Sequence, residues 1–135
     1  MKKYDCVKQE DKYDCGIAAL ATILMYYNKI YSLKELKQII SYNSNHRTNL
    51  FQLYFIATKL GFKSEAVILQ SFEDFDNIEL PCIVQLKFSN DILHFVVVYR
   101  IEKNFIIIAD PAIGLITIPV EMFNKFFTGI ILMIY

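Results

Sequence analysis

The stretch from Asn49 to Leu69 reads NLFQLYFIATKLGFKSEAVIL, and the chain changes character inside it. Asn49 and Gln52 stand at capping-box spacing, so a helix is expected to open there and run to about Leu60. Gly61 sits where a left-handed C-cap belongs. Phe62 to Leu69 then reads as a strand. Before this stretch the apolar residues recur with helical periodicity; after it they come in short β-branched and aromatic runs split by turns.

Working back toward the start, Ser32-Leu33-Lys34-Glu35 is a second capping box that opens a helix to about Ile40. A further helix spans about Gly16 to Asn28, with Ala18, Ala19, Ala21 and Leu24 as good formers. Residues 4 to 14 and 41 to 49 are polar and irregular. Working forward, Ser71 to Phe75 reads as a short helical turn. Cys82 to Phe88, His94 to Ile101, Phe105 to Ala109, Leu115 to Ile118 and Gly129 to Tyr135 read as strands. Glu121 to Phe127 reads as a short helix. Helices first and antiparallel strands second predict an α+β fold.

The 135 residues correspond to one domain, 1–135. A hydrophobic share of 55% excludes intrinsic disorder. The 14 basic and 14 acidic side chains cancel, which argues against a nucleic-acid partner. No apolar run reaches the ~20 residues of a membrane span, and Gly16 to Tyr27 has only the length of a core helix. The start, Met1-Lys2-Lys3-Tyr4-Asp5, has no apolar stretch behind its lysines and is not a secretory signal, so a cytoplasmic location is expected. The cysteines, Cys6, Cys15 and Cys82, form no even framework and no Cys-x-x-Cys pair. That excludes a disulfide scaffold and argues against zinc.

Cys15 stands at the start of an apolar helix, where the dipole and unpaired N–H groups favour a thiolate. Burial as a small core residue is the alternative for it, and the expected state of Cys82. Cys6 has no assigned role. A cysteine nucleophile needs a base. His46 lies in a polar loop and is expected to be solvated. His94 heads the apolar run Phe95-Val96-Val97-Val98-Tyr99, where a polar residue needs a reason; a satisfied structural histidine is the alternative to a base. Asp110 ends the next strand. If Glu102 to Asn104 turn a hairpin that pairs Ile101 with Phe105, Val96 faces Asp110. His94 and Asp110 are then diagonal neighbours on one face, about 7 Å apart between α-carbons. A one-residue slip would put them on opposite faces. Gln9, six residues before Cys15, could donate to an oxyanion together with the Cys15 N–H.

In that order, Gln9, Asp14-Cys15-Gly16, His94-Phe95-Val96-Val97 and Asp110-Pro111 with Gly114 closely resemble the cysteine peptidase domain of bacteriocin- and peptide-exporting ABC transporters. These are the double-glycine leader peptidases, papain-like in fold, and the resemblance covers Tyr4 to the closing strand. It implies Cys15 as nucleophile, His94 as general base and then acid, Asp110 as the residue orienting the imidazole, and Gln9 as oxyanion-hole donor. Thr128-Gly129 resembles the family's Trp-Thr-Gly with Phe127 in place of Trp, and Arg47-Thr48 stands where Gly-Thr is usual. A degenerate branch lacks the cysteine and only binds substrate; Cys15 disfavours that branch for this chain.

The implied substrate is a precursor peptide whose amphipathic helical leader ends in Gly-Gly or Gly-Ala. Two tiny residues pass a slot that larger side chains would block, and the leader helix lies in an apolar groove. Phe51, Tyr54 and Phe62 are aromatic residues available for such a groove, though a core position is the expectation for each. The implied partners are the transmembrane and ATP-binding domains of the same transporter, with the chain on the cytoplasmic side of the bacterial cell membrane. No cofactor is expected in this domain; ATP and Mg belong to the separate nucleotide-binding domain. No Walker loop occurs in the sequence. A catalytically silent leader-binding or docking domain is the alternative function.

Overall fold

The computed structural model describes residues 3–43 and 45–135; Met1 and Lys2 of the leading lysine run and Ser44 of the polar loop lie outside them. Three helices come first: α1 (Cys15–Tyr26), α2 (Leu33–Ile39) and α3 (Leu50–Lys59). Both expected capping boxes form. The Ser32 hydroxyl accepts from the Glu35 N–H while the Glu35 carboxylate takes the Ser32 N–H, and Asn49 and Gln52 do the same for α3. Gly61 adopts φ +89°, the left-handed conformation of a helix C-cap.

Six strands follow: β1 (Ser64–Ile68), β2 (Cys82–Lys87), β3 (Leu93–Ile101), β4 (Phe105–Asp110), β5 (Gly114–Pro119) and β6 (Phe127–Ile134). A 3-10 turn, Phe72–Asn77, precedes β2, and α4 (Val120–Phe126) precedes β6. All neighbouring strands pair antiparallel, in the order β1-β6-β2-β3-β4-β5. The last strand therefore inserts between the first and second, so the sheet closes only when the C-terminus arrives.

Strand alternation divides the core in two. Ile83, Phe95, Val97, Tyr99 and Ala109 face α1 to α3. Cys82, Val84, Val96, Val98, Ile106 and Ile108 face the other way, toward Phe75 and Phe123. Helix α1 lies between the sheet and the other two helices, and every residue from Cys15 to Leu24 is buried. A helix that is apolar all round has no solvent face. Truncating a fully buried side chain such as Ile17 or Leu53 to Ala would cost about 2–5 kcal/mol.

The β3–β4 hairpin differs from the expected register at its turn. Ile101 pairs with Ile106, not with Phe105, and Arg100 with Ile107. A bulge at Tyr99 then takes up one residue, so that Val98 pairs with Ile108 and Val97 with Ala109. Continued by one pair, this register sets Val96 opposite Asp110, as expected. The extra residue has its own anchors. The Tyr99 ring stacks on Tyr4 at 4.4 Å between centroids, and its hydroxyl donates to the Asp5 carbonyl at 2.6 Å.

Candidate active site

Four segments converge where α1 begins. Residues 4–9 run along the molecule as an irregular strap. Beyond the Tyr99 contacts, the Val7 N–H donates to Thr22 Oγ1 at 2.9 Å, and the Gln9 N–H donates to the Pro111 carbonyl at 2.9 Å. Helix α1 supplies Cys15, β3 supplies His94 and β4 supplies Asp110. The close approach of α1 to β3 depends on Gly16. A Cβ there would lie 3.2 Å from the Phe95 ring and 3.2 Å from Leu53. The residue after Cys15 thus touches the residue after His94.

His94 and Asp110 are 7% and 6% exposed, so neither charge is left to water. The His94 Nε2 lies 2.7 Å from Asp110 Oδ1. The same oxygen accepts the Ala112 N–H at 2.9 Å, which fixes the carboxylate in the turn after β4. Phe88 lies over the imidazole at 5.8 Å between ring centroids. With Nε2 committed to Asp110, Nδ1 is the nitrogen left for the Cys15 thiol. Burial by itself disfavours the imidazolium. The hydrogen bonds to Asp110 and Cys15, and the charges of both, outweigh it and raise the His94 pKa to about 9. The imidazole is therefore held protonated at neutral pH, beside the Cys15 thiol.

The candidate oxyanion donors lie on α1 and the strap. No side chain caps α1: Asp14 occupies the N-cap position but makes no capping bond. The first N–H groups of the helix, including that of Cys15, have no intrahelical partner. The Gln9 carboxamide is held by its Nε2, which donates to the Asp11 carbonyl at 2.8 Å, while its buried Oε1 has no protein partner.

A cavity of about 380 Å³ opens on Cys15. Gln85, Leu93 and Phe95 wall one side; Thr48, Asn49 and Leu50 wall the other. The Arg47-Thr48 pair enters here. Thr48 is buried, its N–H donating to the Tyr13 carbonyl at 3.4 Å. Thr128 Oγ1 lies 3.1 Å from Gln85 Oε1, behind that wall, and Phe127 packs on Phe75 and Phe123.

Other candidates fall elsewhere. His46 is exposed. Cys82 is fully buried, and burial pushes its thiol up. Cys6 is half-buried with its Sγ 3.5 Å from the Asp110 carbonyl; burial, then the Asp110 charge, raise its pKa. Phe62 packs on the helical core, but the core expectation for Phe51 and Tyr54 is overturned: they are 72% and 42% exposed. They lie on the α3 face turned away from Leu53 and Ile56, which point inward. Asp14 is fully buried, and its loop and ion-pair contacts are invisible to local patterning. Among the described residues no cluster of three or more His, Cys, Asp or Glu could hold a metal ion.

Fold and site together define a papain-like cysteine peptidase domain, with N-terminal helices packed on an antiparallel sheet. The chain belongs to the Peptidase C39 family, which it matches over residues 3–135. It is 34% identical over 135 residues to the sublancin-168-processing and transport ATP-binding protein SunT of Bacillus subtilis. That match covers 97% of this chain but only 19% of the relative. Among solved structures it is similar to the peptidase domain of Streptococcus ComA, a bifunctional ABC transporter of a quorum-sensing pathway. The TM-score is 0.87, with 28% identity and 98% of each chain covered. It is also similar to a double-glycine-motif protease from an AMS/PCAT transporter solved with its leader peptide. There the TM-score is 0.86 and the identity 28%, over 98% of this chain and 92% of that one. No helix among the described residues is long and apolar enough to cross a membrane.

Proposed function

We propose that residues 1–135 act as one thiol endopeptidase domain that removes a double-glycine-type leader from a precursor peptide, coupled to export by an ABC transporter. The observation that carries the reading is the His94–Asp110 pair, 2.7 Å apart and buried, beside Cys15 at the N-terminus of α1. The relatives' descriptions as processing and transport proteins support the substrate class. The partners are then the transmembrane and ATP-binding domains of the same transporter, with this domain on the cytoplasmic side of the bacterial membrane. The product is a bacteriocin, a lantibiotic or a signalling peptide.

The chemistry is acyl transfer. The Cys15 thiolate attacks the carbonyl carbon of the last leader residue. The carbonyl oxygen takes the negative charge, facing the Cys15 N–H and the Gln9 carboxamide. The tetrahedral intermediate collapses as the C–N bond breaks. His94, protonated in the resting pair, gives its proton to the departing amine, which becomes the new N-terminus. The leader remains as a thioester on Cys15. His94, now neutral, takes a proton from water as that water attacks the thioester. The leader leaves with a free carboxylate, and the thiolate–imidazolium pair is restored. Asp110 holds the imidazole and stabilises its positive form throughout.

The small residues before the cut would lie between the two walls beside Cys15. The exposed Phe51 and Tyr54 extend apolar surface along α3 from Leu50, on the scale of an amphipathic helix. The test is specificity. A synthetic precursor ending its leader in Gly-Gly should be cut after the pair. The same peptide with Val at the last leader position should be cut at least about a hundredfold more slowly. Equal rates would overturn the leader assignment.

A further inference from the structure

Beyond the backbone bonds of Gln9 to Pro111 and of Tyr13 to Thr48, the loop carrying Gln9 is held by side chains. Asp14, whose side chain is fully buried, takes the N–H of Glu10 on both carboxylate oxygens at 3.1 and 3.2 Å, and the N–H of Asp11 at 3.2 Å. Its Oδ2 pairs with Lys37 Nζ at 2.8 Å, and Lys37 reaches Glu10 Oε1 at 3.2 Å. Asp11 in turn presents its carbonyl to Gln9 Nε2 at 2.8 Å. Its carboxylate accepts the Tyr42 hydroxyl at 2.9 Å, and Lys37 lies 4.8 Å over the Tyr42 ring. A continuous path therefore runs from α2 to the Gln9 carboxamide: ammonium, buried carboxylate, two loop N–H groups, one carbonyl, one side-chain amide.

A carboxylate at a helix N-cap ordinarily caps its own helix. Asp14 does not: it turns back to bind the loop before it, and leaves the first N–H groups of α1 open beside Cys15. Neutralising a fully buried carboxylate needs a partner from outside the loop, and Lys37 supplies it. These side-chain contacts of Asp14 lead to the loop or to α2.

We infer that Asp14 and Lys37 are positioning residues for the oxyanion hole, fixing the Gln9 carboxamide through the Asp11 carbonyl. The inference rests on the reading of Gln9 as an oxyanion donor given above. It separates two jobs that adjacent residues perform: Cys15 reacts, and Asp14 places the group that receives the negative charge created by that reaction.

The test compares two reactions of the same thiol. Alkylation by iodoacetamide forms no oxyanion; hydrolysis of a synthetic Gly-Gly precursor does. Losing a whole oxyanion donor lowers kcat by about 10²–10³, so Gln9→Ala should fall in that range. Asp14→Asn leaves Lys37 paired with Glu10 and is expected to lower kcat at least about tenfold. Its KM and its Cys15 alkylation rate should match the parent. Lys37→Met should behave like Asp14→Asn, and Lys37→Arg should restore activity. In the Gln9→Ala background, Asp14→Asn should have no further effect. The inference is overturned if the two effects multiply, if alkylation slows in proportion to hydrolysis, or if Lys37→Met keeps the parent kcat. A Gln9→Ala variant with parent kcat would instead overturn the reading of Gln9 on which the inference stands.

Discussion

His94 and Asp110 meet because the β3–β4 hairpin carries one extra residue: the Tyr99 bulge shifts the register so that the two side chains share a face and close to 2.7 Å. Without the bulge, the pairing at the turn would continue inward and place the imidazole and carboxylate on opposite faces. The residue that makes the bulge is tied to the N-terminal strap through Tyr4 and Asp5. The same contacts that set the hairpin register thus lay down the segment that leads to Gln9.

The pH dependence follows from that pair. The His94 pKa is raised from 6.5 to about 9, so the imidazolium persists through neutral pH and is lost as pH rises through about 9. We expect kcat/KM to fall along an alkaline limb near pH 9. Asp110→Asn removes the charge that holds the proton, so the limb should move down by about one unit or more. Its kcat should drop at least about a hundredfold, within the 10²–10⁴ that general acid–base groups contribute. A pH–rate profile of both proteins checks this. Folding stability carries the same sign. The contribution of His94 is complete below about pH 6.5 and disappears as pH rises through about 9. The urea midpoint should decline over that window in the parent and less in Asp110→Asn.

Gly16 is expected to accept no side chain without loss. A methyl group at 3.2 Å from both Phe95 and Leu53 must push the start of α1 away from β3. Overpacking of this kind costs about 1–3 kcal/mol. Because the displaced elements carry Cys15 and His94, Gly16→Ala should lose activity beyond what its unfolded fraction explains. Activity per folded molecule, with folding followed by circular dichroism, separates the two effects.

Two glycines with nearly equal φ should differ in cost. Gly61 (φ +89°) has nothing within 4 Å of a Cβ, so Gly61→Ala should cost only the left-handed penalty, about 1–2 kcal/mol. Gly129 (φ +92°) would place its Cβ 2.8 Å from the Leu69 carbonyl oxygen, at the β1–β6 edge. Gly129→Ala should therefore be the more destabilising of the two by more than 1 kcal/mol, on the order of an overpacking penalty. Thermal midpoints of the two variants decide it.

The three thiols should separate by alkylation. Burial raises Cys82 fully inside the sheet, and burial with the Asp110 charge raises Cys6. Cys15 opens on the cavity and lies beside the His94 imidazole. Iodoacetamide at pH 7 should modify Cys15 first, and His94→Ala should slow that reaction at least about tenfold. Peptide mapping by mass spectrometry reads the order.

Local signals carried much of the fold into view. Both capping boxes, the Gly61 stop and the β-branched runs are short-range features, and each element stands within about two residues of where patterning puts it. The partnership of His94 and Asp110 was legible from strand parity, although the turn pairing expected for Ile101 was off by one and Tyr99 absorbed the error. Asp14 and Lys37 were illegible for the opposite reason. Their contact spans 23 residues and two helices, and nothing in either neighbourhood marks it. Phe51 and Tyr54 depart from the rule that an aromatic residue on a helix is ordinarily core; their exposure depends on how α3 is rotated, which Leu53 and Ile56 decide by packing inward.

The most direct measurement is the intact mass of a synthetic Gly-Gly precursor after incubation with the protein and, in parallel, with Cys15→Ala. The account predicts two fragments from a single cut after the second glycine, and uncut peptide with the variant. Cleavage that survives in Cys15→Ala, or a folded parent protein that binds the leader and leaves the precursor whole, would contradict it.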